Sequence, residues 1–295
     1  MATPSDIPDL HHQAEKAAQG LPDLLVAAER VASTVSQGVH GRRRVGQGET
    51  FWQFRRYEYG DPTQQIDWRQ SAKSDPVYVR EMEWEAAQSV WLWADASPSM
   101  DYASAPTLPA KGWRAKVLAV ALTSLLVRAG ERVALMGQGM TPSSGRSTLL
   151  RVADALERAR GRAGSLPEAE FVPRHGRVVL FGDFLAPLTK TRECLARLSG
   201  HGVQGHLVQV LDPAEETLPF AGRVEFEGPE GEGHLLIGRV EGIRQAYREE
   251  LQHHQAGLDA VARSFGWSVT RHMTLRPPET ALMTLYLLLS ETARR

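Results

Sequence analysis

The feature that most restricts the fold of this 295-residue chain is the regular alternation of short apolar runs with helix-patterned segments from Ser89 onward. Val90-Trp91-Leu92-Trp93-Ala94 is a continuous apolar run ending in a polar loop, as expected for a strand covered on both faces of a parallel sheet. Gly112 to Ala129 follows, with Trp113, Ala115, Val117, Leu118, Val120, Ala121, Leu122, Leu125 and Leu126, and Gly130 is placed as its stop; it reads as a largely buried crossover helix. Val133 to Met136, Val178 to Phe181 and Leu207 to Leu211 read as further strands, with helices over Leu149 to Ala159 and Thr191 to Leu198 between them. Strands alternating with helices imply βαβ crossovers, hence a Rossmann-like α/β fold with a mainly parallel sheet and helices on both faces.

Val224 to Glu227 and His234 to Gly238 flank a Gly-Pro-Glu-Gly-Glu-Gly turn and predict an inserted hairpin. A helix over Ile243 to Phe265, a strand over Trp267 to Thr270 and a closing helix over Glu279 to Thr292 complete the pattern. Upstream, a polar leader precedes an amphipathic helix over Leu21 to Val35, in which Leu24, Leu25, Ala28, Val31, Ala32 and Val35 recur at helical spacing. Gly38 to Arg56 is rich in Gly, Arg and aromatics and is expected to be a loop, Tyr57 to Pro62 a turn, and Ile66 to Arg69 and Val77 to Glu81 short or edge strands. The expected organisation is a leader and helix over 1–40, an Arg/aromatic-rich β module over 41–88, the α/β domain over 89–275 with its hairpin near 222–240, and a C-terminal helix over 276–295.

Lys and Arg number 34 against 35 Asp and Glu, so no global field draws the chain to nucleic acid or an anionic membrane. Arg42, Arg43, Arg44, Arg55 and Arg56, interleaved with Phe51, Trp52, Phe54 and Tyr57, form the one local pattern suited to nucleic acid. Glu49, Glu58 and Asp61 lie among them and no nucleic-acid motif accompanies them, so the rings are expected to pack and the arginines to pair with carboxylates. Asp67 and Trp68 are read as structural. The lone Cys194 has no disulfide partner and sits in a helix expected to pack on the core, which fits a reducing compartment. With no signal-like start, and with Ala281 to Leu289 only about half the roughly 18 to 20 apolar residues a span needs, the expectation is a cytoplasmic protein without a membrane span.

An open parallel sheet binds ligands at the carboxyl ends of its strands. The polar residues placed there are Asp95-Ala96-Ser97-Pro98-Ser99 after the first strand and Asp183 after the third, with Ser147-Thr148 before the second helix. Such a set suits a hard cation such as Mg²⁺. Because hydroxyls leave the ion's charge partly uncompensated, an acidic group of another protein could complete the shell. Alone, Asp-x-Ser-x-Ser is weak, with roughly one chance match in ten chains of this length. Asp95 and Ser97 as caps of an ordinary turn is the competing reading. Gly137 to Gly145 is glycine-rich but lacks the lysine of a phosphate-binding loop, so ATP hydrolysis is not expected. No Gly-x-Ser-x-Gly elbow surrounds Ser97 or Ser99. A metal-dependent hydrolase using Asp95 and Asp183 is the alternative activity. His253 and His254 point about 100° apart on a helix and form no two-ligand face.

The order of several separated motifs gives more. Arg56-Tyr57-Glu58-Tyr59-Gly60-Asp61-Pro62, then Ile66-Asp67-Trp68-Arg69-Gln70-Ser71-Ala72-Lys73, Val79-Arg80-Glu81, the Asp95 loop, and Val210-Leu211-Asp212-Pro213-Ala214-Glu215-Glu216 with Leu218-Pro219-Phe220 resemble the bacterial domain of unknown function 58 family, within the von Willebrand factor A-like superfamily. The resemblance runs from about Gly41 to the closing helix. It implies a metal-ion-dependent adhesion site and an association with AAA+ ATPases of the MoxR type, acting on client proteins without catalysis. It implies metal ligands at Asp95, Ser97 and Ser99, at Thr148 with Ser147 as rival, and at Asp183. Phe184 stands where many adhesion-type domains carry Gly.

Overall fold

The computed structural model describes residues 23–39, 51–57, 66–73, 76–82, 88–159, 164–168, 172–174, 176–200, 202–229, 231 and 233–291. They fall into two compact units, one within 39–88 and one formed by the segments on either side of it.

In the smaller unit, strand β1 (Phe51–Arg56) pairs antiparallel with β2 (Tyr78–Met82), Phe54 opposite Arg80. The end of the segment expected to be a loop is therefore a strand, because its β-forming residues find a partner 22 or more residues later, Arg56 opposite Tyr78 and Phe54 opposite Arg80. Arg42, Arg43, Arg44 and the turn at 58–62 lie outside the described residues. Ile66 to Arg69 was expected to be a strand, and instead leads into the helical turn α2 (Trp68–Ser71). Its cause is local: Asp67 Oδ1 accepts from Gln70 N at 2.8 Å, and Ser71 Oγ donates to Asp67 O at 2.8 Å while accepting from Tyr78 N at 2.9 Å. Asp67 has the structural part expected of it. Trp68 does not, standing 67% exposed.

The larger unit is built on five strands, β3 (Ser89–Ala94), β4 (Arg132–Leu135), β5 (Arg177–Gly182), β6 (Gln204–Leu211) and β9 (Ser268–Met273), all paired in parallel in the order β4-β3-β5-β6-β9. Counted along this sheet alone the order is 2-1-3-4-5, so the winding reverses between β3 and β5. Beyond β4 a single antiparallel bridge joins Val133 to Ser143.

Strand parity divides the core. Trp91, Val178, Leu180 and Leu207 point to one side, where they pack with Cys194, Leu195 and Leu198 of α5 (Leu188–Ser199) and Leu258, Val261 and Ala262 of α7 (Arg244–Ser264). Residues of the opposite parity, including Leu92, Val179 and Phe181, face the side of α3 (Lys111–Arg128), which packs on α4 (Arg146–Arg158) and α8 (Pro278–Glu291). In α3 almost every residue from Lys111 to Leu126 is buried, and each fully buried leucine there contributes about 1.5–3 kcal/mol. Helix α1 (Asp23–Val39) buries Leu24, Leu25, Ala28, Val31, Ala32 and Val35, and its Glu29 accepts from Ser124 Oγ at 2.9 Å and pairs with Arg128. Cys194 is buried in α5, and burial pushes its thiol up to about 11.

Between β6 and α7 lie the short α6 (Pro213–Thr217) and the expected hairpin, β7 (Val224–Gly228) with β8 (Gly233–Ile237). Among the described residues no helix is long and apolar enough to cross a membrane.

Candidate functional site

The carboxyl ends of β3 and β5 meet at the reversal in strand order, where an open parallel sheet leaves a crevice. Asp95 follows β3 with no exposed surface, its backbone N–H still bonded to Phe181 O at 2.8 Å. Its Oδ1 accepts from Ser97 N at 2.8 Å, a tight turn closed by the side chain. The loop then enters a short 3₁₀ turn (Pro98–Asp101) started by Pro98, which holds Ser99 beside Ser97, hydroxyl to hydroxyl 3.1 Å. Ser99 Oγ donates to Asp183 Oδ2 at 3.0 Å. Gly182, at the end of β5, allows the close approach: a Cβ there would lie 3.3 Å from Asp95 Cβ and 3.4 Å from Asp95 Oδ2.

Asp183 is fixed from several sides. Its carbonyl accepts from Gln209 Nε2 of β6 at 2.9 Å, and its Oδ1 from Leu185 N at 3.3 Å. The next residue, Phe184, has a left-handed backbone with φ 48°, the conformation that Gly adopts without strain. The cost of roughly 1–2 kcal/mol is offset by a buried ring and by the hydrogen bond that its carbonyl accepts from His254 Nε2 at 2.7 Å. His254 thus acts as a brace for this loop, and His253 shares no such contact with it.

The residue that sequence reasoning missed is Lys111. Its ammonium lies 2.9 Å from Asp183 Oδ2 and 2.5 Å from Glu215 Oε1, with only 1% of the side chain exposed. Burial pulls this ammonium down, but the Asp183 and Glu215 charges and hydrogen bonds carry it above its ordinary 10.5. Burial also raises the Glu215 carboxyl, even against the Lys111 charge. Glu215 is in turn held by a capping box on α6: its Oε2 accepts from Asp212 N at 2.8 Å, Asp212 Oδ1 accepts from Ala214 N at 2.8 Å, and Tyr247 donates to Glu215 O at 2.6 Å. A signal was present in the sequence. Lys111 is the first residue of an 18-residue helix, where the helix dipole disfavours a cation.

Four of the five expected ligands, Asp95, Ser97, Ser99 and Asp183, are thus brought together. Thr148 is not. It lies in the first turn of α4, fully buried, with Oγ1 hydrogen-bonded to Ser143 Oγ at 2.9 Å and donating to Ser144 O at 3.1 Å. Ser143 pairs with Val133, which lies level with Val90 at the start of β3, so Thr148 sits at the opposite end of the strands from Asp95, about 16 Å away along β3. The single bridge at Ser143 carries the chain back down the sheet edge before α4 starts, which no local pattern announces. Ser147 beside it is exposed.

Among the described residues no three His, Cys, Asp or Glu side chains cluster as a metal cage. The oxygens that the loop would offer a cation are the carboxylate of Asp95 and the hydroxyls of Ser97 and Ser99. The Asp95, Ser97 and Ser99 oxygens fit a hard cation in type and closeness, in a cradle that Gly182 keeps open. Asp183 differs, because its Oδ2 is already engaged by the Lys111 ammonium.

Fold and crevice together define a doubly wound parallel α/β domain with an acid-and-hydroxyl loop at its switch point. The chain belongs to the family described as Protein of unknown function DUF58, which it matches over residues 53–257. An uncharacterised protein of Mycobacterium bovis is 29% identical over 266 residues, covering 85% of this chain and 83% of the relative, and an uncharacterised protein of Mycobacterium tuberculosis matches to the same extent. Among solved structures, the conserved hypothetical protein BatB of Bacteroides thetaiotaomicron aligns with a TM-score of 0.43 and 16% identity over 71% of this chain and 100% of that one. An aerotolerance-related membrane protein of Bacteroides fragilis aligns with a TM-score of 0.42 and 16% identity, over 70% of this chain and 100% of that one.

Proposed function

We propose that this protein is a non-enzymatic binding and assembly factor whose Asp95 loop, a von Willebrand factor A-like adhesion site, engages an acidic group of a partner through a divalent cation. The observation that carries this reading is the contact chain Ser97–Ser99–Asp183 beside Asp95 at the β3–β5 switch point. Asp95, Ser97 and Ser99 would hold the ion, Mg²⁺ in a cell. When bound, it supplies a positive charge that one carboxylate and two hydroxyls leave partly uncompensated. The chain's own residues do the rest: Gly182 lets the carboxylate sit close, Ser97 N orients it, and Asp183 accepts the hydrogen bond of the Ser99 hydroxyl, which leaves the Ser97 hydroxyl to donate to Ser99. The partner we assign is a MoxR-type AAA+ ATPase, the association implied by the family resemblance, with the pair acting on client proteins in the cytoplasm.

Isothermal titration of Mg²⁺ into the wild type and Asp95→Asn tests the cation. Heat in the first and its loss in the second is expected. Equal and negligible heats would remove the metal from the proposal. Co-purification with the ATPase in the presence of Mg²⁺ or of chelator tests the partnership, with capture expected only when Mg²⁺ is present.

A further inference from the structure

We propose that Lys111 is a tethered counter-cation that withholds Asp183 from the ion and so leaves Asp95 as the one carboxylate in the ion's shell. The inference rests on the reading of the Asp95 loop as a cation site and adds what decides the chemistry of the group it recruits.

Two carboxylates in the shell would neutralise a divalent cation and leave it little attraction for an acidic partner. One carboxylate leaves a net positive charge facing outward. The geometry favours the second arrangement. Asp183 Oδ2 accepts both from Lys111 Nζ at 2.9 Å and from Ser99 Oγ at 3.0 Å, and Oδ1 accepts from Leu185 N at 3.3 Å, so both oxygens of this carboxylate are engaged within the protein. Lys111 cannot follow Asp183 outward, because Glu215 holds the ammonium at 2.5 Å from the other side, and Glu215 is fixed by the α6 capping box. Both desolvation and the dipole of α3 oppose a cation at this place, so the pairing with Asp183 and Glu215 is what keeps it there. Lys111 is in this sense a positioning residue: it acts on the loop through Asp183.

The test is titration of Mn²⁺, followed by the loss of its free electron paramagnetic resonance signal, into the full chain as wild type, Lys111→Met, and Lys111→Met with Asp183→Asn. Lys111→Met is expected to bind Mn²⁺ about tenfold or more tightly, because Asp183 joins the shell, and the double variant to return within about threefold of wild type. A purely structural lysine would give weaker binding on removal, so equal or weaker affinity in a Lys111→Met protein with native circular dichroism overturns the inference. If Lys111→Met alone does not fold, Lys111→Met with Glu215→Gln removes one unpaired carboxylate. The same gain is expected there, and its absence is equally decisive. Wild-type binding with an unchanged Lys111→Met overturns this inference and leaves the proposed cation site standing. Binding gained only in Lys111→Met, and lost again with Asp183→Asn, does the reverse. No binding in any protein overturns both.

Discussion

The ammonium of Lys111 and the carboxylate of Asp183 meet at 2.9 Å in a part of the molecule where both side chains are almost wholly shielded from water, 1% and 5% exposed. They come from the start of α3 and the end of β5, and Glu215 completes the arrangement from α6. The crevice beside Asp95 is therefore bordered by a fixed internal charge network.

Removing the lysine leaves two shielded carboxylates without their counter-ion. Lys111→Met is expected to lower stability by about 3–5 kcal/mol, read from urea unfolding midpoints. Adding Asp183→Asn and Glu215→Gln recovers most of the loss, since a neutral hydrogen-bonded set has no unpaired charge to bury. A loss under about 1 kcal/mol in the single variant would show that the network is of little structural weight.

His206 and His272 predict the acid limb of stability. Burial holds both imidazoles down to about 4, and Arg114 and Arg276 add to this at His272. The ordinary value is 6.5, so between about 6.5 and 4 the unfolded chain binds more protons than the folded one. Stability present above pH 6.5 is therefore lost as pH falls toward 4, by up to about 3 kcal/mol for each histidine. His206, which bonds Ser268 Oγ at 2.5 Å and Thr270 Oγ1 at 2.9 Å, can be tested singly. His206→Gln should flatten the fall of Tm over this window, and an unaltered slope would count against it.

Gly205 of β6 has no room for a side chain, because a Cβ there would lie 2.2 Å from the Trp267 ring. Gly205→Ala is expected to cost about 1–3 kcal/mol by forcing Trp267 out of its place. Trp267 fluorescence should shift to the red as the ring meets water. A variant with wild-type midpoint and emission would show that the ring moves freely.

Asp212 ties two segments together, accepting from Ala214 N at 2.8 Å and from Ser104 N at 3.0 Å while wholly buried. Asp212→Ala should cost about 2–3 kcal/mol, from a lost cap and a second buried N–H left without its acceptor. Amide exchange at Ala214 and Ser104 should quicken together. Quickening at Ala214 alone would limit Asp212 to the helix cap.

Most of the larger unit was legible in the sequence. The apolar run at Val90 to Ala94 and the patterned segments after it gave strands and helices within a few residues of those observed, since each rests on burial of one face or both. Local polar chemistry was harder to read. At Ile66 to Arg69 the Asp67 cap and the Ser71 hydroxyl, not the apolar residues, decided for a helical turn. At Gly38 to Arg56 the signal for β1 lay in its partner, β2, beyond reach of any local pattern.

The candidate site divides in the same way. Asp95, Ser97 and Ser99 were determined by the sequence alone, because a loop of five residues after a buried strand brings them together whatever the rest of the chain does. The meeting of Lys111 with Asp183, 72 residues apart, and with Glu215, 104 residues apart, was decided by tertiary structure, as was the separation of Thr148 from Asp95. Those outcomes depend on β3 lying beside β5 and on one bridge at the β4 edge. Strand order and register, unlike periodicity, are settled by packing the whole sheet at once.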